Sequence, residues 1–234
     1  MAAPTLVLWD IDHTLIETRG VGRKLYRTAF EEITGRRIAH KAKLTGRTEP
    51  AILTETLELN GLEPSDDYQA KYAKALVRQY EQHTDKLYAR GRVLPGAGAA
   101  LAALAEQPDV IQTVLTGNLR AVALIKLRVF NLDGFVDLEI GAYGDDDADR
   151  PKLVPVAQHR AAAKHGAEFT RHNTVILGDS PGDVEAGLTG GARVIGVASG
   201  ESSVAELQAA GADRVVSDLS DIPTLTNLVA TRAL

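Results

Sequence analysis

The chain contains no cysteine, and that absence excludes a disulfide framework, a thiolate zinc site and a cysteine nucleophile together. It also lacks an excess of positive charge. Lys and Arg number 26 against 31 Asp and Glu, a net charge of -5, so no general attraction draws it to nucleic acid or to an anionic membrane. Any phosphate-bearing ligand must then be held by a local site. Long apolar runs are missing as well, and none approaches the roughly 20 residues that span a bilayer. No basic segment precedes the short apolar run near the N-terminus, so no signal peptide is expected and the cytoplasm is the expected compartment. What is present is ordinary for a globular protein: 234 residues, 44% hydrophobic and 24% charged. That is enough for one α/β domain with a sizeable insertion, or for two modest domains.

Thr5 to Trp9 is a short, continuous apolar run, partly β-branched or aromatic, and it predicts a strand buried on both faces of a parallel sheet. It ends abruptly in Asp10, Asp12 and Thr14. In open α/β sheets the ligand crevice lies at the carboxyl ends of the strands, which is where these groups fall. Taken alone, they read equally well as a strand terminator and a helix N-cap.

From about Gly20 to Thr34, apolar groups at Val21, Leu25, Ala29 and Ile33 keep a helical spacing that Gly35 stops. Pro50 to Leu59 repeats the pattern, and Asp66 to Tyr88 is read as one further helix. No strand-like alternation interrupts residues 18–90, which predicts a small all-helical unit. After Val93 the texture alternates between strand and helix. Helices are expected at Ala97 to Glu106, after Asn118 to Phe130, and from about Leu153 to His165. Strands are expected at Asp109 to Leu115, Val136 to Ile140, Thr174 to Leu177, Val194 to Val197 and Arg214 to Val216. Such alternation implies a doubly wound parallel, Rossmann-like sheet with helices on both faces. The expected division is a core of residues 1–17 plus 91–234, with the helical unit 18–90 inserted after the first strand.

Three later strand ends carry further chemistry. Thr116-Gly117-Asn118 offers a hydroxyl and backbone N–H groups at a glycine turn, which suit phosphate oxygens; a plain N-cap reads the same way. Arg150-Pro151-Lys152 places two cations at a helix start, where the dipole disfavours them, although pairing with the acidic stretch Asp145 to Asp149 would account for them. Gly178-Asp179-Ser180-Pro181-Gly182-Asp183 sets two carboxylates around a turn into a helix, oxygen ligands of the kind that complete a Mg²⁺ site. A capped helix start is the simpler reading of Asp183.

With all four segments in order, the chain resembles the haloacid dehalogenase superfamily of hydrolases, in particular its phosphoglycolate phosphatase and β-phosphoglucomutase branch with a helical cap. The resemblance rests on Asp10 to Thr14, the Thr116 turn, a basic residue at 150 or 152, and Asp179 to Asp183, and it spans nearly the whole chain. It implies that Asp10 is a nucleophile forming an aspartyl-phosphate and that Asp12 is the general acid and base. It further implies Mg²⁺ held by Asp10, the backbone carbonyl of Asp12, Asp179 and, through water, Asp183. Thr116, Gly117, Asn118 and either Arg150 or Lys152 would bind the phosphoryl oxygens.

Two positions depart from the family pattern. His13 stands where glycine is usual, and histidine tolerates unusual backbone geometry better than most residues, so the loop is expected to persist with a changed rim. The usual Lys-Pro is Arg150-Pro151-Lys152 here: Arg150 matches by the proline after it, Lys152 by residue type. Within the cap, Leu44 to Thr48 resembles a loop facing the core, with Arg47 and His13 as candidate specificity residues, whereas His40 and His83 are expected to be solvated. The favoured expectation is a phosphatase of a small phosphorylated metabolite, monomeric or homodimeric. A sugar phosphomutase keeps the same motifs. A dehalogenase has no use for the Asp12 and Asp179 pair, and phosphonate hydrolysis replaces Asp12. From another class, a non-catalytic phosphate-ligand-binding or regulatory protein of this fold would be expected to have lost a nucleophile or a metal ligand, and none is missing.

Overall fold

The computed structural model describes residues 3–231. Strand β1 (Thr5–Trp9) is buried along its whole length and is an inner strand of the sheet. It pairs in parallel with β4 (Val110–Val114) on one side and β5 (Thr174–Gly178) on the other. Strands β6 (Arg193–Val197) and β7 (Arg214–Val216) complete an all-parallel sheet of order β4-β1-β5-β6-β7. Alternate side chains of β1 leave on opposite faces. Val7 and Trp9 join a core with α5 (Ala97–Ala105) and α10 (Ile222–Ala230), while Leu6 and Leu8 join one with α7 (Leu153–His165) and α8 (Pro181–Gly190). Burial of each large apolar side chain stabilises the fold by about 1.5–3 kcal/mol, so the strand that carries Asp10 is anchored from both sides. The chain's one tryptophan, Trp9, is buried, and its indole Nε1 donates to Gln112 Oε1 at 3.0 Å.

Between two short strands, β2 (Ile16–Glu17) and β3 (Arg92–Val93), which pair antiparallel, the chain is helical: α1 (Val21–Thr34), α2 (Glu49–Leu59), α3 (Asp66–Gln82) and α4 (Thr84–Arg90). Leu25, Phe30, Leu53, Tyr72, Leu76 and Leu87 pack there in a cluster of their own. Helix α6 (Arg120–Val129) divides its contacts, giving Val122 to this cluster and Ala123 and Leu127 to the core of the sheet. The remaining helix, α9 (Val204–Ala209), packs Leu207 against β6 and β7. Among the described residues no helix is long and apolar enough to cross a membrane.

Two expectations need correction, and one element was not foreseen. Residues 136–140 are not a strand. The segment lies along the outer edge of β4, bonding through Asp137 N to Gln112 O and Ala142 N to Val114 O, but among the described residues its pairing on that edge amounts to an isolated bridge, Leu115 to Ala142. Between those points, Leu138 O accepts from the Tyr143 hydroxyl instead of a strand. The helix expected over 66–88 breaks at His83, whose backbone leaves the helical region (φ -125, ψ 21) and whose ring Nδ1 lies 2.8 Å from Gln79 O. The ribbon of β2 and β3 was not anticipated, because two residues per strand carry no periodic signal.

Candidate active site

The parallel register brings the chemistry together. Trp9 lies beside Val114 on one side and Leu177 on the other, so the residues just beyond them, Asp10, Thr116 and Asp179, emerge at one edge of the sheet. The Asp10 N–H continues the ladder to Leu177 O at 2.9 Å. After it the chain turns tightly, with Leu15 N donating to Ile11 O and His13 in the left-handed region at φ 63. That conformation explains why glycine is the easy choice here and why histidine is among the few tolerable replacements. The His13 carbonyl accepts from Ser199 Oγ at 2.6 Å, which ties the turn to the loop after β6.

Arg150 belongs to this group and Lys152 does not. The buried Arg150 guanidinium donates through Nη2 to Asp10 Oδ1 at 2.8 Å and to Asp183 Oδ1 at 2.5 Å. The Lys152 side chain is 63% exposed and lies 3.8 Å from Asp147 and 3.6 Å from Asp149, so of the two candidate cations it is the one to withdraw. One turn of 3-10 helix, Arg150–Lys152, carries the first cation inward while the second stays with the acidic loop.

Asp183 is buried at the start of α8, where its Oδ2 accepts from Ser180 N and Oγ in a capping box. Its capping role and its place in the site therefore coexist. Asp10, Asp179 and Asp183 bring carboxylate oxygens within 4.8 Å of one another. Asp179 Oδ2 is buried without a hydrogen-bond partner. Burial and the Asp183 charge push Asp10 up to about 7, with Arg150 pulling the other way. Burial, Asp183 and Asp10 push Asp179 up to about 9. Three buried carboxylates, two of them sharing one guanidinium and the third with an orphaned oxygen, fit a hard divalent cation with oxygen ligands.

Around Thr116 the side chains form a closed network that the motif alone did not reveal. Asn118 Nδ2 donates to Thr116 Oγ1 at 2.7 Å and to Asp12 Oδ2 at 2.8 Å, and its N–H is turned toward Thr116 Oγ1. Lys126, whose side chain is only 4% exposed, donates to Asp12 Oδ2 and to Asn118 Oδ1, both at 2.6 Å. Burial alone would raise Asp12; the Lys126 charge, with hydrogen bonds from Lys126 and Asn118, outweighs it and holds the carboxyl below its ordinary value. Lys126 was missed by sequence reasoning. Its signal was a lone lysine in the buried stripe Val122, Ala123, Lys126, Leu127 of α6.

The helical segment covers the site. Glu49 N donates to Gly117 O at 2.8 Å and Thr48 Oγ1 to Ala148 O at 2.7 Å. A Cβ on Gly117 would lie 2.0 Å from Arg47 O, so only glycine permits the approach. Between segment and sheet edge lies a cavity of about 600 Å³, lined by Asp10, Asp12, His13, Arg47, Glu49 and Arg150 among others. Arg47 lines it but is braced, its guanidinium paired with Glu55 and bonded to Lys43 O and Ala51 O. Glu49, also missed, is pushed up to about 7 by burial against the pull of Lys126, and Tyr72 donates to it at 3.3 Å. Its place in the first turn of α2 made it look like an ordinary dipole charge. His40 is exposed, and half-buried His83 is occupied at the helix break.

A parallel α/β sheet whose strand ends gather carboxylates, a hydroxyl and a guanidinium beneath a helical cover is the architecture of a ligand site at a strand-end crevice. Residues 7–187 match the family model for haloacid dehalogenase-like hydrolases, and the chain belongs to that family. It is 29% identical over 227 residues to a plasmid-encoded phosphoglycolate phosphatase of Cupriavidus necator, covering 94% of this chain and 92% of that protein. Identity to pyrophosphatase PpaX of Listeria monocytogenes serotype 4b is 25% over 222 residues, covering 93% and 94% respectively. The fold is shared with a hydrolase from Pseudomonas syringae of known crystal structure, with a TM-score of 0.71 at 22% identity over 97% of this chain and 100% of the other.

Proposed function

We propose that this chain is a Mg²⁺-dependent phosphatase that hydrolyses a small phosphate monoester through an aspartyl-phosphate on Asp10, with residues 18–90 acting as a cap. The observation that carries this reading is the contact of Arg150 with both Asp10 and Asp183 beside the unpartnered Asp179 oxygen. A nucleophilic carboxylate, a fixed phosphate-binding fork and a place for a cation meet at one cavity.

In the proposed reaction an Asp10 carboxylate oxygen attacks phosphorus as the bond to the leaving oxygen breaks, and Asp12 gives that oxygen its proton. Water then attacks phosphorus of the aspartyl-phosphate. Asp12 takes the water's proton, the bond to Asp10 breaks, and inorganic phosphate leaves. Arg150 and Thr116 orient the phosphoryl oxygens and stabilise charge as it develops. Asp10, Asp179, the Asp12 carbonyl and, through water, Asp183 would hold Mg²⁺, which when bound offsets the repulsion between a carboxylate and a phosphate dianion. The cap excludes water and presents Arg47 to the leaving group, which meets His13 on the core side.

The test is phosphate release from a panel that includes para-nitrophenyl phosphate, phosphoglycolate, pyrophosphate and hexose phosphates, with and without Mg²⁺. The two curated relatives motivate the second and third members. Mg²⁺-dependent release that is lost in Asp10→Asn is expected, and robust turnover by that variant removes Asp10 as nucleophile. Isomerisation of a hexose phosphate without phosphate release would instead select the phosphomutase.

A further inference from the structure

We infer that Lys126 is a positioning residue for Asp12, fixing one carboxylate oxygen so that the other is presented for proton transfer; the inference rests on the phosphatase reading above. Asp12 Oδ2 is claimed twice, by Lys126 Nζ at 2.6 Å and by Asn118 Nδ2 at 2.8 Å. Oδ1 takes no hydrogen bond from the described residues. Two donors on one oxygen remove the rotation that would exchange the two, leaving Oδ1 as the proton-carrying atom.

Lys126 is itself held from several sides. Asn118 Oδ1 accepts from it at 2.6 Å, and its ammonium stands 5.4 Å from the centre of the Tyr80 ring, a cap residue. Glu49 of the cap adds a nearby carboxyl. The network therefore runs from the cap, through Lys126, to Asp12, and Asn118 extends it to Thr116.

Folding does not call for this ion pair at this position. The backbone of the Asp12 turn is already set by Leu15 N to Ile11 O, His13 N to Ile16 O and the Ser199 bond to His13 O. A buried ammonium carries a desolvation penalty that an apolar side chain in the Val122, Ala123, Leu127 stripe would not. Nor is Lys126 the phosphate-binding cation of the four motifs, since Arg150 stands in that place. The cation is placed where it controls the one side chain that must carry a proton in both halves of the proposed reaction.

The distinguishing measurement compares an alkyl and an aryl monoester. Glycerol phosphate needs its leaving oxygen protonated, whereas para-nitrophenolate departs as the anion. The ratio kcat/KM reports the steps through first P–O cleavage, where that difference acts. Replacing Lys126 with methionine, of similar length and no charge, should lower kcat/KM for glycerol phosphate by about 10²-fold. The loss for para-nitrophenyl phosphate should be about tenfold or more smaller, and Lys126→Arg should recover part of the alkyl activity. Equal losses on the two substrates, or none, overturn the role. Should Lys126→Met fail to fold, Asn118→Ala removes the other donor to Oδ2 and is read by the same ratio, with the same outcomes. A wild-type chain inert toward the aryl ester overturns the phosphatase reading and this role with it. One that turns over the aryl but not the alkyl ester overturns the role alone.

Discussion

Arg150 and Lys152 stand two residues apart in one turn of 3-10 helix, yet Arg150 is buried against Asp10 and Asp183 while Lys152 is exposed beside Asp147 and Asp149. Substitution should separate them cleanly. Removing the buried guanidinium leaves two buried carboxylates without it, and breaking such a pair costs about 3–5 kcal/mol. Arg150→Met is therefore expected to lower the unfolding free energy by that order in chelator-treated protein and to reduce kcat/KM by about 10²-fold or more. Lys152→Ala should leave the denaturation midpoint and kcat/KM where they were. Denaturant titration and phosphate-release kinetics on both variants check the pair.

The crowding of Asp10 and Asp179 has a consequence for pH. With no metal bound, their pKa values of about 7 and about 9 lie above the ordinary 3.8 of an aspartic acid. Between 3.8 and those values the folded state holds more protons than the unfolded state, so stability falls as pH rises through that window. Asp12 acts oppositely, since its pKa is lowered and the stability it contributes is lost as pH falls below 3.8. Melting in chelator should thus show Tm decreasing from about pH 5 to about pH 9. Mg²⁺ should raise Tm, most strongly at the alkaline end, by binding the folded state. Asp179→Asn should flatten the alkaline limb and remove the Mg²⁺ response. A Tm that climbs with pH in chelator would contradict this account.

His13 separates backbone tolerance from side-chain function. Its φ of 63 costs a β-branched residue about 1–2 kcal/mol, so His13→Val should destabilise by that order. His13→Gly relieves the strain while loosening the unfolded chain, and the two effects should cancel to within about 1 kcal/mol. Because His13 lines the cavity, the glycine variant is expected to change KM with little change in Tm. An unchanged KM across the substrate panel would remove His13 from the specificity residues.

The sheet was legible because its inner strands are buried on both faces, and a continuous apolar run such as Thr5 to Trp9 has few other readings. The segment 136–140 misled because its apolar–polar alternation belongs to a chain lying along the edge of β4, where one side meets the core without forming a ladder. The break at His83 escaped notice because the apolar spacing continues across it and no glycine or proline marks it. At the site, Asp10, Thr116 and Asp179 were readable from their positions just beyond strands. The choice between Arg150 and Lys152 was not, because a single short turn decides which side chain points inward. Lys126 and Glu49 were invisible to motif reasoning: each sits on a helix, far in sequence from Asp12, and gains its meaning only where both line the cavity over the strand ends.

Trp9 is the chain's one tryptophan, sealed in the core with its indole committed to Gln112. Intrinsic emission excited at the indole therefore originates from a single point, and that point is the residue immediately before Asp10. The protein carries its own optical probe one peptide bond from the proposed nucleophile.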